Sequence, residues 1–273
     1  MPLVLKYKAA TTIPVELHGF TPQAAAARSL AAIERFPIQH GNRQIPLAEL
    51  FAVSGSADDG ELRMEGDLRS VHGIGAKLIG GRIQIDGDAG RHLGSQMTGG
   101  EIHVNGTAGD WLGAEMRGGL IHVRGDAGHQ VGGAYPGSRR GMNGGTILID
   151  GRAGDELGHT MRRGTVAVGG DVGHCTGVNM IAGSIYVLGR CGGQPGAGMR
   201  RGTIGLFSPE RPSLLPTFRR AATYQPTFLR FALLELRRLG FDVPERLLAG
   251  RITLYHGDLL ALGRGEILTA EGD

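Results

Sequence analysis

Between Leu78 and Leu206 the sequence returns to the same pattern every nineteen residues. A Gly-x-x-Gly-x-x-x-Gly signature recurs at Gly87/Gly90/Gly94, Gly106/Gly109/Gly113, Gly125/Gly128/Gly132, Gly151/Gly154/Gly158, Gly170/Gly173/Gly177 and Gly189/Gly192/Gly196. An apolar-x-apolar pair precedes each, from Ile83/Ile85 to Ile185/Val187. A further block opens at Met199, reaches Ile204 and Leu206, and stops at Pro209. A fixed period of this size belongs to repeat architectures, in which each unit buries its apolar face against its neighbours.

The unit does not suit a helix. It holds several glycine or turn positions, and each glycine costs a helix roughly 1 kcal/mol. Glu101-Ile102-His103-Val104-Asn105 alternates with period two, which is a strand signal. Strands at constant register, separated by glycine bends, predict a mostly β chain: a parallel β-helix, a solenoid of coils of about 19 residues. Glycine supplies 49 of the 273 residues, but without the every-third-residue spacing of collagen.

Stacking coils sort the residues into rows. Ile102, Val104, Ala108, Leu112 and Met116 should point inward. The methionine row runs Leu78, Met97, Met116, Met142, Met161, Met180, Met199 and is read as flexible thioethers filling a bend of the core, not as a cofactor box. Thr176 breaks the Leu112 row. Outward, Asp88, Thr107, Asp126, Arg152, Asp171 and Arg190 share a row, and the last four alternate in sign, as an ion-pair ladder would. The period breaks once, where seven extra residues fall within Gly133–Gly141. Tyr135 beside Pro136, followed by Arg139 and Arg140, reads either as an anchor with charge for a partner or as a surface loop. Arg162-Arg163 and Arg200-Arg201 recur two coils apart.

The ends differ from the repeat. Residues 1–58 read as a small α/β cap: strands at Leu3–Tyr7 and Ile13–Leu17, a helix over Gln23–Arg35 opened by Thr21-Pro22, and an apolar turn or helix at Ile45–Phe51. Residues 59–208 hold the coils, with Leu62-x-Met64-x-Gly66 as a degenerate first one. Residues 209–273 form a docking extension. It starts with a linker marked by Pro209, Pro212 and Pro216. A helix over Thr227–Leu239 follows, ended by Gly240, with Leu229, Ala232, Leu233 and Leu236 on one stripe. Phe231 and Leu234 lie off that stripe, so a second cover is expected. Strands should follow at Arg251–Asp258 and Gly263–Leu268.

The formal charge of +3 excludes little. Aromatic residues make up only 5%, and no interleaving of aromatics with a basic cluster points to nucleic acid. No apolar run approaches the ~18 residues of a membrane span, and the start lacks a secretory h-region. A cytoplasmic chain is expected, a compartment that suits two cysteines. Lysines occur only at Lys6, Lys8 and Lys77, so 26 of the 29 basic side chains are arginine, a skew typical of GC-rich genomes.

A search for chemistry returns little. His103 and His122 are stacked equivalents, but their row continues as Leu148, Ala167, Tyr186 and offers no third metal ligand. His129, Asp155 and His174 form a better ligand set, with a polar ladder as the plainer reading. Cys175 and Cys191 are sixteen apart, hence in different rows and unsuited to a disulfide. Cys191 falls inward, and Cys175 outward, with only His174 as a neighbouring base. The glycine loops lead into strands rather than into a helix N-terminus, so they are not phosphate cradles. No catalytic, cofactor-binding or metal-binding residue is nominated.

The glycine coil resembles the C-terminal β-helix of glutamate synthase large subunits. It resembles more closely the C-type subunit of formylmethanofuran dehydrogenase. The flanks carry that preference: Ile45-Pro-Leu-Ala-Glu-Leu-Phe51, the helix after the coils, and Tyr255-His-Gly-Asp258-x5-Arg264-Gly-Glu-Ile-Leu268. The family has two branches, an archaeal molybdenum or tungsten enzyme with iron–sulfur partners and a bacterial formyltransferase/hydrolase complex. The arginine skew favours the second. The resemblance implies a non-catalytic subunit that supports formyl transfer from a pterin to a furan-type carrier and release of formate. It implies hydrolase, formyltransferase and B-type partner subunits, with zinc and the carriers held by those partners and no cofactor in this chain. On charge alone, Arg139 and Arg140 could meet a glutamate-rich carrier.

Overall fold

The apolar-x-apolar pair of every repeat becomes a β-strand, and the strands stack with equivalent residues opposite one another. In the computed structural model, which describes residues 2–9, 11–26 and 28–270, Ile83 pairs with Ile102, Ile102 with Ile121, Ile121 with Ile147, Ile147 with Val166, Val166 with Ile185 and Ile185 with Ile204. All these pairings are parallel. A second column of parallel bridges runs Leu68, Ala89, Ala108, Ala127, Ala153, Val172, Cys191. The small-residue row expected inside is thus a second line of contact between repeats. The chain is mostly β, built around a 13-stranded mixed sheet.

Two non-repetitive strands lengthen the parallel stack. Leu3–Tyr7 pairs with Glu61–Glu65 at one end, and Arg264–Ala270 pairs with Arg201–Leu206 at the other. Beyond them the direction reverses. Phe51–Ser54 closes the first end antiparallel, and Ile252–Gly257 followed by Arg219–Tyr224 closes the second. A smaller 4-stranded sheet joins Arg43–Pro46, Pro37–His40, Val15–Glu16 and Val71–His72.

The core follows the inward rows. Met97, Met116, Met142, Met161, Met180 and Met199 are all fully buried, as are Ile102, Val104 and Leu112. Thr176 is buried too. Ile267 of the last parallel strand joins this cluster. The glycine signature makes the stack possible by two means. Gly113 has φ +59, and a Cβ there would lie 2.4 Å from Ile147 Cδ1, two repeats on. At Gly125 a Cβ would lie 2.7 Å from the Gly106 carbonyl oxygen. One glycine makes room for a core side chain and the other for backbone.

Three expectations at the ends need correction. The single helix over Gln23–Arg35 is two short ones, Pro22–Ala26 and Leu30–Glu34. Ser29 interrupts them: its backbone is extended, and its hydroxyl accepts the Ala32 N–H, which caps a new start. The strand expected at Ile13–Leu17 shrinks to Val15–Glu16. A strand not expected, Arg219–Tyr224, follows the proline-marked linker; it was missed because it is an exposed edge without apolar alternation. The helix Thr227–Arg238 and the strand Ile252–Gly257 fall where expected. No helix among the described residues is long and apolar enough to cross a membrane.

Candidate interaction surfaces

The His103/His122 row is where the structure departs furthest from expectation. Its later members do not face solvent. Leu148, Ala167 and Tyr186, joined by Phe207 two residues beyond the row's next member Gly205, form a second apolar cluster with Leu229, Leu233 and Leu236 of the helix Thr227–Arg238. Phe241, Val243, Leu247, Leu248, Ile252 and Leu254 complete it. Tyr186 and Phe207 stack at 6.3 Å between centroids. The row turns apolar where the C-terminal segment covers it. That change from His to Leu between His122 and Leu148 was the available signal for a docking face.

His122 sits at the margin of the cover and is almost wholly buried. Its Nε2 lies 2.9 Å from Asp150 Oδ1. Arg124 binds the other carboxylate oxygen at 2.9 Å and donates to the Gly240 carbonyl at 3.4 Å. Burial holds the His122 imidazole below the usual histidine range, and the Asp150 carboxylate offsets this only in part. His103 is half-buried, its ring 6.4 Å from that of His122, and bonds Glu101 instead. The pair therefore has separate carboxylate partners.

His129, Asp155 and His174 are brought together as successive members of a row, and each has its acceptor atom occupied. Asp110 Oδ1 accepts the His129 N–H at 2.8 Å, and His129 Nδ1 accepts the Asp155 N–H at 2.9 Å. Asp155 Oδ1 accepts the His174 N–H at 2.7 Å, and His174 Nδ1 accepts the Gly193 N–H at 3.0 Å. His72 Nδ1 does the same for Arg91. The polar ladder is the observed arrangement, and it runs from side chain to backbone. No group of three or more metal-ligating side chains occurs among the described residues.

The charged row behaves in the same way. Asp88, Asp126 and Asp171 accept the backbone N–H of Thr107, Arg152 and Arg190 in the next repeat. Only Asp171–Arg190 adds an ion pair, at 3.0 Å, among the described members. The alternating ion-pair ladder is thus mostly an amide-capping ladder, because the carboxylate reaches the next backbone before it reaches the next side chain. Cys191 is half-buried, and burial pushes its thiol up to about 11. Cys175 Sγ lies 3.5 Å from Gln194 Oε1. The two thiols are free.

The insert also differs from its sequence reading. Tyr135 turns back onto the repeats and does not project. Its ring stacks on Trp111 at 5.1 Å, and its hydroxyl lies 3.0 Å from His92 Nδ1. The Tyr135 N–H meets Glu115, which also accepts from Gln96. Burial pushes Glu115 up, but these hydrogen bonds outweigh it and hold the carboxyl below the usual range. Pinned at Tyr135, the insert leaves Arg139 and Arg140 exposed at its tip.

These arginines line one side of an open groove of about 1120 Å³. Arg162 and Arg200 line it from the turns of later repeats, and Ile181, Leu260 and Leu262 form its apolar lip. Sequence rows alone placed Arg162 and Arg200 together. They did not show that the insert and the 259–262 loop complete the groove.

Comparisons with known proteins agree with this architecture. No family model matches the chain. It is 40% identical over 95 residues to the C-type subunit of molybdenum-containing formylmethanofuran dehydrogenase 1 of Methanosarcina barkeri. It is 36% identical over 95 residues to the C-type subunit of tungsten-containing formylmethanofuran dehydrogenase 2 of Methanothermobacter thermautotrophicus. Each match covers 33% of this chain, and the chain spans about a third of those relatives (32% and 35%). A chain in the crystal structure of the formyltransferase/hydrolase complex (FhcABCD) from Methylorubrum extorquens in complex with methylofuran matches from end to end. It superimposes with a TM-score of 0.90 and 35% identity over 98% of this chain and 99% of that one.

Fold and surfaces together define a repeat-built β chain with one apolar face covered by its C-terminal segment and an arginine-lined groove. It belongs to the family that unites the C-type subunit of formylmethanofuran dehydrogenase with its relative in the formyltransferase/hydrolase complex.

Proposed function

We propose that this chain is a non-catalytic structural subunit, of the C type, in a hetero-oligomeric formyltransferase/hydrolase complex. The observation that carries the reading is the end-to-end match, at 35% identity, to a chain of the FhcABCD complex. In this reading the stacked repeats are the coils of a parallel β-helix, residues 59–208. Residues 1–58 cap one end, and residues 209–273 cap the other while covering the Leu148–Phe207 face.

The residue chemistry supports a scaffold. His129, Asp155 and His174 each accept an amide of the next repeat, through Nδ1 or Oδ1, which is a structural use of these side chains. No step is derived through a zinc. Formyl transfer between a pterin and a furan-type carrier, and release of formate, fall to the partner chains. The groups this chain does offer are packing surfaces: a rigid stack, an exposed apolar helix face at Phe228, Phe231 and Leu234, and the arginine groove.

The partial matches to molybdenum and tungsten enzymes favour a second reading, the C-type subunit of a redox formylmethanofuran dehydrogenase. Affinity purification of the tagged chain from its native host separates the two. Co-purifying hydrolase and formyltransferase chains support the first. Stoichiometric molybdenum, tungsten or iron–sulfur protein supports the second. Formyl hydrolysis by the lone purified chain, or zinc bound to it at one equivalent, would overturn the scaffold reading.

A further inference from the structure

The arginine groove gathers four basic side chains along one concavity. Several arginines elsewhere find carboxylates: Arg63 with Asp86, Arg69 with Asp67, Arg82 with Glu101, Arg124 with Asp150, Arg190 with Asp171, Arg237 with Glu245 and Arg238 with Glu235. Arg139, Arg140, Arg162 and Arg200 have no ion-pair partner among the described residues. Yet the insert, two repeats and the C-terminal extension converge to place them along one concavity. Like charges gathered without counter-charge repel one another, and a bound anion relieves that repulsion.

The lip adds a second condition on the occupant. Leu260 is 85% exposed, and Leu259 and Leu262 are more than half exposed. The loop that carries them is held in place: Asp258 is buried, its Oδ2 accepts the Gly198 N–H at 3.0 Å, and its Oδ1 accepts the Leu260 N–H at 2.9 Å. A fixed row of bare leucines beside a basic groove suits a ligand that is both anionic and apolar. A polypeptide combines the two along one strand. A purely anionic carrier tail has nothing to place on the leucines.

We propose that the groove between the Gly133–Gly141 insert and the Leu259–Leu262 loop docks an acidic segment of a partner subunit. Its carboxylates pair with Arg139, Arg140, Arg162 and Arg200, and at least one of its large apolar side chains seats against Leu260 and Leu262. The guanidinium fork favours bidentate carboxylate pairing. The apolar contact supplies area that salt does not screen. The proposal rests on the reading of this chain as a member of a complex.

The test uses the intact complex. The chain is co-expressed with its partners, with a photo-crosslinking benzoylphenylalanine in place of Ser138, which lines the groove. The crosslinked peptide is sequenced by mass spectrometry. In parallel, an Arg140→Glu/Arg162→Glu chain is titrated onto the remaining subunits. The expected adduct is a net-negative partner peptide bearing Leu, Ile, Phe or Met. The charge reversal should weaken association by roughly tenfold or more near 0.1 M salt, with the difference narrowing as salt rises. Arg140→Lys/Arg162→Lys should fall between wild type and the reversal, because lysine keeps the charge but loses the bidentate fork, and Leu260→Ser should weaken association without altering the salt slope. A neutral or basic adduct, an adduct of non-peptide mass, or unchanged affinity in the charge reversal overturns the groove proposal while leaving complex membership intact. A wild-type chain that purifies without partners overturns the complex reading itself.

Discussion

Single residues set the tolerances of the stack. Gly113 combines a positive φ with a neighbour 2.4 Å from the missing Cβ. Gly113→Ala should lose about 1–2 kcal/mol to the left-handed backbone and about 1–3 kcal/mol to overpacking against Ile147. Gly137, at the tip of the insert, has φ +87 with nothing within 4 Å, so Gly137→Ala should incur only the backbone cost. Denaturant midpoints of the two variants check this, and equal losses would show that the packing argument fails. His122 is the titratable residue whose position most invites a pH test. Its imidazole is depressed in the folded state, so the unfolded chain takes up the proton first. Stability should therefore fall as pH drops below ~6.5, until it passes the depressed folded value. His122→Asn should flatten that part of the wild-type stability profile, as measured by denaturation across pH. Asp258 has the opposite sign. Burial would raise its carboxyl, but the amides of Leu260 and Gly198 hold it below the usual range. Its contribution is present above the ordinary aspartate value of ~3.9 and is lost as pH falls through the lower folded value. Asp258→Asn should weaken docking of the 259–262 loop at neutral pH, detectable as faster amide exchange at Leu260, and converge with wild type in acid.

At the scale of elements, the helix Thr227–Arg238 holds the cover over the face formed by Leu148, Ala167 and Tyr186. Leu229, Leu233 and Leu236 are buried against the repeats. Leu233→Ala should cost about 2–5 kcal/mol of local stability. Limited proteolysis between the repeats and the helix should then be faster, while Arg264–Ala270 keeps its place beside Arg201–Leu206. Cleavage no faster than in wild type would contradict the docking account. The helix and its apolar stripe were legible in the sequence, because a period of 3.6 with a closing glycine is a local signal. The strand Arg219–Tyr224 was not, because an exposed edge has no inward face to make its side chains alternate. The break at Ser29 was missed for a related reason. A serine within a helical pattern becomes a cap only when the surrounding chain changes direction.

For the whole molecule, the repeat made most of the parallel stack legible, since equivalent residues nineteen apart share an environment once the strands stack in register. The candidate surfaces were less legible because they arise where unlike parts meet. Arg162 and Arg200 are related by the repeat, but Arg139, Arg140 and Leu260 reach them only through the insert and the C-terminal loop. The His103–Leu148 row has a similar history: its register was readable, while its cover came from residues far along the chain. One detail of the stack bears on how such a chain is made. In the amide-capping rows each acceptor belongs to a given repeat and each donor to the repeat after it, from Asp88 with Thr107 to Asp171 with Arg190. Synthesis delivers repeats in that same order. Each newly emerged repeat therefore meets a surface already presenting acceptors for its amides, so the stack can lengthen behind the ribosome without waiting for the C-terminus.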